Sequence, residues 1–200
     1  NGDVDMVLVH DPEAEEKFIN EGLGVYRHTF MVNDFILIGP QSDPAGIRGM
    51  KDAAKAMARI QRSGSLFISR GDASGTHQRE KTLWQKAKIE PQGSWYLEIG
   101  QGMGAVLTMT NEKGGYTICD RATYLMRKSR IKLQVLVEGD PVLINYYSAM
   151  YLNPKRYPSA KYGLSRRLID WLCSDEGQKL IGDYSVDGLQ LFKPSYVRGK

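Results

Sequence analysis

Short apolar runs alternate with amphipathic helical segments along the whole chain, and most helical segments carry a stop or start residue at their ends. This alternation constrains the fold most, because strand, crossover helix and strand in succession build an α/β layer with largely parallel pairing. An apolar strand runs from Val4 to Val9, and "DPEAEEKFINEG" then reads as a helix with Asp11 as N-cap, Pro12 in first position and Gly22 closing it. "VYRHTFMVNDFILIGP" supplies one or two strands up to Pro40. "MKDAAKAMARIQRSG" is a helix that places Ala54, Met57, Ala58 and Ile60 on its buried side and stops at Gly64. "SLFIS" is a strand, residues 75–90 a helix, "SWYLEIG" a strand and "MGAVLTMTNEKGG" a helix. "YTICD" is a short buried strand, "RATYLMRKSR" a helix, and "LQVLVEGDP" and "LINYYSAMYLN" are strands. Two helices close the chain, with Leu168, Ile169, Leu172, Leu180 and Ile181 expected to face inward. Trp84, Trp95 and Trp171 stand at apolar positions and read as core, and Tyr146 and Tyr147 read as core or hinge.

In open α/β sheets, ligands sit where strand ends meet helix starts. Three such junctions are rich in glycine and small polar residues: 69–76, 100–104 and 119–123. The first, within "FISRGDASGTHQRE", joins a strand to a helix through Ser69, Arg70, Gly71, Asp72, Ser74, Gly75 and Thr76. A helix start offers unpaired N–H groups and the positive end of the helix dipole. Gly71 and Gly75 allow close backbone approach, three hydroxyls add donors, and Arg70 adds a permanent planar charge suited to an oxyanion. Asp72 opposes an anion there unless it is turned away to hold the loop or Arg70. Two readings stand: an anion cradle, or a helix start capped by Ser74 or Thr76 with Arg70 on the surface. The loop is neither a Walker loop nor a nucleophile elbow, since Ala73 stands where the elbow needs its first glycine. A serine hydrolase built from Ser74, His77 and Asp72 is a poor alternative, because all three lie in one short turn. His77 reads as a first-turn surface residue.

The 27 Lys and Arg residues are dispersed and the net charge is only +4, which disfavours a nucleic-acid tail and leaves small anionic ligands open. No apolar run approaches the roughly 18–20 residues of a membrane span. His10, His28 and His77 show no metal-ligand spacing, so neither a metal nor a cofactor is expected. Cys119 and Cys173 both sit in apolar surroundings; two buried thiols are favoured over a bridge. The chain opens at once on a turn and a strand, which reads as a mature or truncated form.

"SRGDASGTHQREKTLW" resembles the signature of the tungstate-binding periplasmic proteins of ABC transporters, the TupA family among the phosphate- and molybdate-like solute receptors. "GDVDMVLVHDP", "MVNDFILIGP", "GQGMGAVLTMTNEKGGYTICDRATYL" and "SRRLIDWLCSDEGQKLIGDY" resemble further segments of that family, so the likeness covers nearly the whole chain. It implies a two-lobed type II periplasmic-binding-protein fold with mixed, mostly parallel sheets and two hinge crossings. The first lobe would comprise 1–34 plus 148–200, the second 38–143, and the hinge strands 30–38 and 142–150. Members of the family begin with a β-α-β unit carrying a Thr/Ser-rich loop, which this sequence does not contain, so the first lobe is expected to be incomplete.

The resemblance also implies a tetrahedral oxyanion, tungstate or else molybdate, delivered by a monomeric receptor to a membrane permease, with no enzymatic activity and no insertion into the membrane. The location would be periplasmic, or extracytoplasmic and lipid-anchored in a Gram-positive cell. Arg70 would neutralise charge and Thr76 would give a hydroxyl and an N–H. Ser69 and Ser74 come second, and Gly75 would add a backbone donor. Asp120 and Arg121 would either line the cleft or form a helix cap and a structural ion pair. Gly104 would either bring backbone near the cleft or serve as a packing turn. Cys119 stands where the family usually has Thr. The rival is the effector domain of a transcription regulator, which shares the two-lobed fold.

Overall fold

The computed structural model describes residues 2–186 and 188–196, which divide into two compact units. One unit is built from the segments up to Asn33 and from Asn145 onward, the other from the continuous segment Asp34–Ile144. In chain order the first elements are β1 (Met6–Val9), α1 (Pro12–Asn20) and β2 (Gly24–Gly39). The second unit then contributes α2 (Ala53–Arg62), β3 (Phe67–Ser69), α3 (Gly75–Lys86), β4 (Tyr96–Glu98) and α4 (Met103–Lys113). It continues with β5 (Thr117–Asp120), α5 (Arg121–Arg127) and β6 (Gln134–Val137). The chain returns through β7 (Ile144–Leu152), α6 (Tyr162–Leu172), α7 (Asp175–Asp183) and the short strands β8 (Ser185–Val186), β9 (Leu189–Gln190) and β10 (Lys193–Pro194).

In the first unit the strand order is β1-β7-β2-β10, with β1 antiparallel to β7 and β10 antiparallel to β2. Phe30, Ala149, Tyr151, Ile169 and Cys173 form its core. Asp11 caps α1 through Ala14 N–H at 3.1 Å, and Pro12 follows it, as the sequence predicts. Two expectations fail at the closing helices. Ser165 and Ile169 are the buried residues of α6, whereas Leu168, Trp171 and Leu180 are exposed. Leu164, Leu168 and Trp171 follow one another at i, i+4 and i+7, as Ser165, Ile169 and Leu172 do on the adjacent stripe. Helical periodicity alone does not say which of two neighbouring apolar stripes the sheet will cover.

In the second unit, β2 is antiparallel to both β5 and β6, while β3 and β4 are parallel and Phe67 makes a parallel bridge to Tyr116. The sheets are therefore mixed, and parallel pairing is confined to β3 and its neighbours because β2 runs against the strands it joins. Successive residues of β2 alternate between two cores. Phe35 and Leu37 join Met57, Ile60, Phe67, Trp84 and Tyr116, while Ile36 and Ile38 join Ile68, Val106, Leu107 and Tyr124. Helices α2 and α3 thus contribute to one face and α4 and α5 to the other. A strand covered on both faces is apolar at every position, which is why "FILIG" reads as an unbroken run. The buried stripe of α2 is Ala53, Ala56, Met57 and Ile60, with Ala54 and Ala58 only half-buried. Asp52 caps the helix at Lys55 N–H (2.9 Å), and the buried positions follow the i, i+3, i+4, i+7 spacing counted from Ala53.

Candidate functional site

The carboxyl ends of β3, β4 and β5 lie side by side in the second unit. Ile68 N–H donates to Tyr116 O and Thr117 Oγ1 donates to Ile68 O, which ties β5 to β3. Ile99 N–H reaches Ser69 O at 3.2 Å and Gln101 N–H reaches Arg70 O at 3.3 Å, which ties the loop after β4 to the loop after β3. The junctions at 69–76, 98–103 and 120–123 therefore leave one sheet edge, the position at which open α/β sheets take ligands.

Asp72 organises the first loop. Its Oδ2 accepts from Arg70 Nε at 3.0 Å and Nη2 at 2.6 Å; its Oδ1 accepts from Ser74 N–H at 3.0 Å and Ser74 Oγ–H at 2.5 Å. Burial alone would push this carboxyl up, but the Ser74 hydrogen bonds and the Arg70 guanidinium outweigh it and hold the group below its usual range. Ser74 in turn caps α3, its Oγ accepting His77 N–H at 3.3 Å. Gly71 has φ 61°, and a Cβ there would lie 2.8 Å from Glu98 Cβ. The turn thus needs glycine both for its left-handed backbone and for the closeness of β4.

With Asp72 so engaged, certain donors are left over. Gly75 N–H, Thr76 N–H, the Thr76 hydroxyl and Arg70 Nη1 have no hydrogen-bond partner among the described residues. They belong to a helix start and one guanidinium, both favourable to an anion. Ser69 is placed differently from its neighbours: it is fully buried and its hydroxyl donates to Glu80 Oε2 at 2.8 Å, which leaves it no hydrogen for a ligand.

His77 contradicts its sequence reading. It is 4% exposed, its Nδ1–H donates to the Asp72 carbonyl, and its Nε2 is buried without a hydrogen-bond partner, 3.6 Å from Glu98 Oε1. A lone histidine in a first helical turn carries no sign of burial, because a neighbour such as Glu98, 3.6 Å from its Nε2, lies about 20 residues further along the chain. The third junction is built structurally. Asp120 Oδ1 caps α5 through Thr123 N–H at 2.8 Å. Arg121 forks onto Asp34 at 2.7 and 2.6 Å and reaches Glu138 at 2.6 Å; Asp34 first and Glu138 with it hold the guanidinium firmly protonated against the opposing effect of burial. Gly104 faces Arg127, whose Nη2 would lie 2.6 Å from an added Cβ, so Gly104 makes room for that side chain in the first turn of α4. The Cys119 and Cys173 thiols are both free and buried, and burial pushes both up, away from thiolate chemistry. No helix among the described residues is long and apolar enough to cross a membrane.

Residues 1–176 match the model of the PBP superfamily domain. The chain is 44% identical over 200 residues to a Haloferax volcanii protein named for anion binding by an ABC transporter, covering 98% of this chain and 58% of that protein. It is 40% identical over 202 residues to the tungstate-binding protein TupA of Peptoclostridium acidaminophilum, covering 99% of this chain and 71% of the relative. Among solved structures, the tungstate-binding protein TupA of Desulfovibrio alaskensis superposes with a TM-score of 0.89 at 43% identity, covering 98% of this chain and 80% of that one. The regulatory domain of MetR, a LysR-family regulator of N. meningitidis, is alike in fold alone, with a TM-score of 0.59 at 11% identity. A helix start with free donors at the carboxyl edge of β3, carried by a sequence of this kinship, makes the chain a member of the PBP superfamily, within the family of the TupA proteins.

Proposed function

We propose that this protein is the solute receptor of an ABC transporter, its two compact units serving as the two lobes, and that it binds a tetrahedral oxyanion, tungstate first and molybdate second. The observation that carries this reading is the set of unpartnered donors at Arg70, Gly75 and Thr76, gathered at one helix start and held there by Asp72. Arg70 keeps Nη1 for the ligand while Nε and Nη2 fix its plane. Thr76 gives an N–H and a hydroxyl, Gly75 gives an N–H, and Ser74 acts through the loop rather than on the ligand. Both oxygens of Asp72 already accept hydrogen bonds, so the loop's carboxylate is engaged and donors predominate. A site in which donors predominate favours a fully deprotonated dianion over protonated phosphate, which needs an acceptor. A cavity sized for long metal–oxygen bonds would hold sulfate loosely.

Binding and release require no covalent step. The receptor would work outside the cytoplasm, as a single copy, and pass its anion to a permease; Asp120, Arg121 and Gly104 would support the edge of the site without touching the ligand. The test is calorimetric titration of the full natural protein with tungstate, molybdate, sulfate and phosphate, repeated for Arg70→Ala. A charged hydrogen bond is worth about 1.5–3 kcal/mol, so Arg70→Ala is expected to weaken tungstate binding roughly 10- to 100-fold. A parent that gives no heat with tungstate or molybdate, or an Arg70→Ala variant that binds as tightly as the parent, contradicts the assignment.

A further inference from the structure

Beneath the donor-rich loop lies a carboxylate that touches nothing outside the protein. Glu80 is 1% exposed on α3, one turn after Thr76 on the same side of the helix. Its Oε2 accepts the Ser69 hydroxyl at 2.8 Å, and its Oε1 accepts Tyr96 Oη–H at 2.8 Å and Trp84 Nε1–H at 3.1 Å. One side chain therefore joins the end of β3, the body of α3 and β4. Burial outweighs the hydrogen bonds from Ser69, Tyr96 and Trp84 and pushes its carboxyl above the usual range.

The direction of each hydrogen bond matters. The Ser69 hydroxyl gives its hydrogen to Glu80 Oε2 and keeps its lone pairs for other donors. One of those lone pairs takes Gly71 N–H at 3.2 Å. Gly71 is the left-handed residue that turns the chain from β3 towards Asp72, and Arg70 stands immediately before it. The relay runs from Glu80 through Ser69 to the Gly71 N–H, and from there to the placement of the Arg70–Asp72 pair. A glutamine at position 80 would disturb it: two donors already converge on one oxygen, so its amide NH2 would face the Ser69 oxygen, compete there with Gly71 N–H and strip the buried Ser69 hydroxyl of its acceptor.

We propose that Glu80 is the positioning residue of the oxyanion loop: by fixing the polarity of the Ser69 hydroxyl it sets the Gly71 turn and hence which donors, Arg70 Nη1, Gly75 N–H and Thr76 N–H, face the ligand. The inference rests on the receptor reading and adds to it that affinity is controlled by a buried relay with no ligand contact. It assigns Ser69 to that relay as a second positioning residue.

The experiment is a double-mutant cycle on the full natural protein with Glu80→Gln, Ser69→Ala and the pair together. Tungstate affinity is read by calorimetry, folding by thermal melting, and the local environment by the emission of Trp84 in a variant lacking Trp95 and Trp171. Each single change is expected to weaken tungstate binding roughly tenfold while the protein remains folded at the assay temperature. The double variant should be no weaker than the worse single one, because both act through one relay. Tungstate binding should shift Trp84 emission in the parent and not in Glu80→Gln. Folded Glu80→Gln and Ser69→Ala proteins that bind within twofold of the parent, or losses that simply add, overturn the proposal. If Glu80→Gln does not fold, Ser69→Ala alone decides by the same affinity criterion. A parent that binds neither tungstate nor molybdate removes the receptor reading itself and this inference with it.

Discussion

Asp72 is placed where an acid would ordinarily be unwelcome, and the structure gives its charge two duties at once. Its folded-state value lies below the usual 3.8, so ionised Asp72 contributes stability above that pH, and the contribution is lost as pH falls through the depressed value. Replacing it with Asn removes the charge that steadies Arg70. Asp72→Asn is therefore expected to melt below the parent at neutral pH, with the gap closing as pH falls below about 3.8, in melting curves taken from pH 7 to pH 2. The chemistry of this loop was readable from its residue types: Arg70, Thr76 and two glycines are an anion-binding inventory, and Asp72 was readable as a group either opposing the ligand or holding the loop. What could not be read was direction. Whether Ser69 points to solvent or to Glu80 depends on a helix face 11 residues away, and the surroundings of His77 include Glu98, from a strand distant in sequence.

Helix boundaries and caps were the most legible elements, because they are written in local chemistry. Asp11, Asp52, Ser74 and Ser174 each accept from a backbone N–H at the start of α1, α2, α3 and α7. Facing was less legible where two apolar stripes compete, as Leu168 and Trp171 on α6 demonstrate. The β3–α3 turn gives this scale its own prediction. Gly71→Ala would place a methyl group in the left-handed region and within 2.8 Å of Glu98 Cβ. A left-handed alanine costs roughly 1–2 kcal/mol, and the clash adds to it, so a fall in Tm of several degrees is expected by calorimetry. Tungstate affinity should fall as well, since the same turn carries Arg70. Gly64→Ala is the control, with a similar φ of 64° and nothing within 4 Å of its added Cβ. It should lose stability by a similar backbone cost and leave affinity unchanged.

For the molecule as a whole, alternation of strands and helices was enough to indicate α/β, yet it did not show that residues 24–39 form one strand, because nothing local marks where a strand changes the unit it serves. The passage between units is marked instead by a contact distant in sequence. Asn145 Nδ2 donates to Asn33 Oδ1 at 2.9 Å, both residues are buried, and they are 112 positions apart. That clasp has a consequence in time. Bringing together the ends of a flexible segment of that length costs about 4 kcal/mol of chain entropy. The cost falls sharply once the segment between them, Asp34–Ile144, has condensed around its own two cores. The second unit should therefore gather first, and the first unit should knit its two separate segments together afterwards. Pulse-labelled hydrogen exchange during refolding is expected to protect amides of 34–144 before those on either side, and the reverse order would show that the clasp forms without waiting for the chain it encloses.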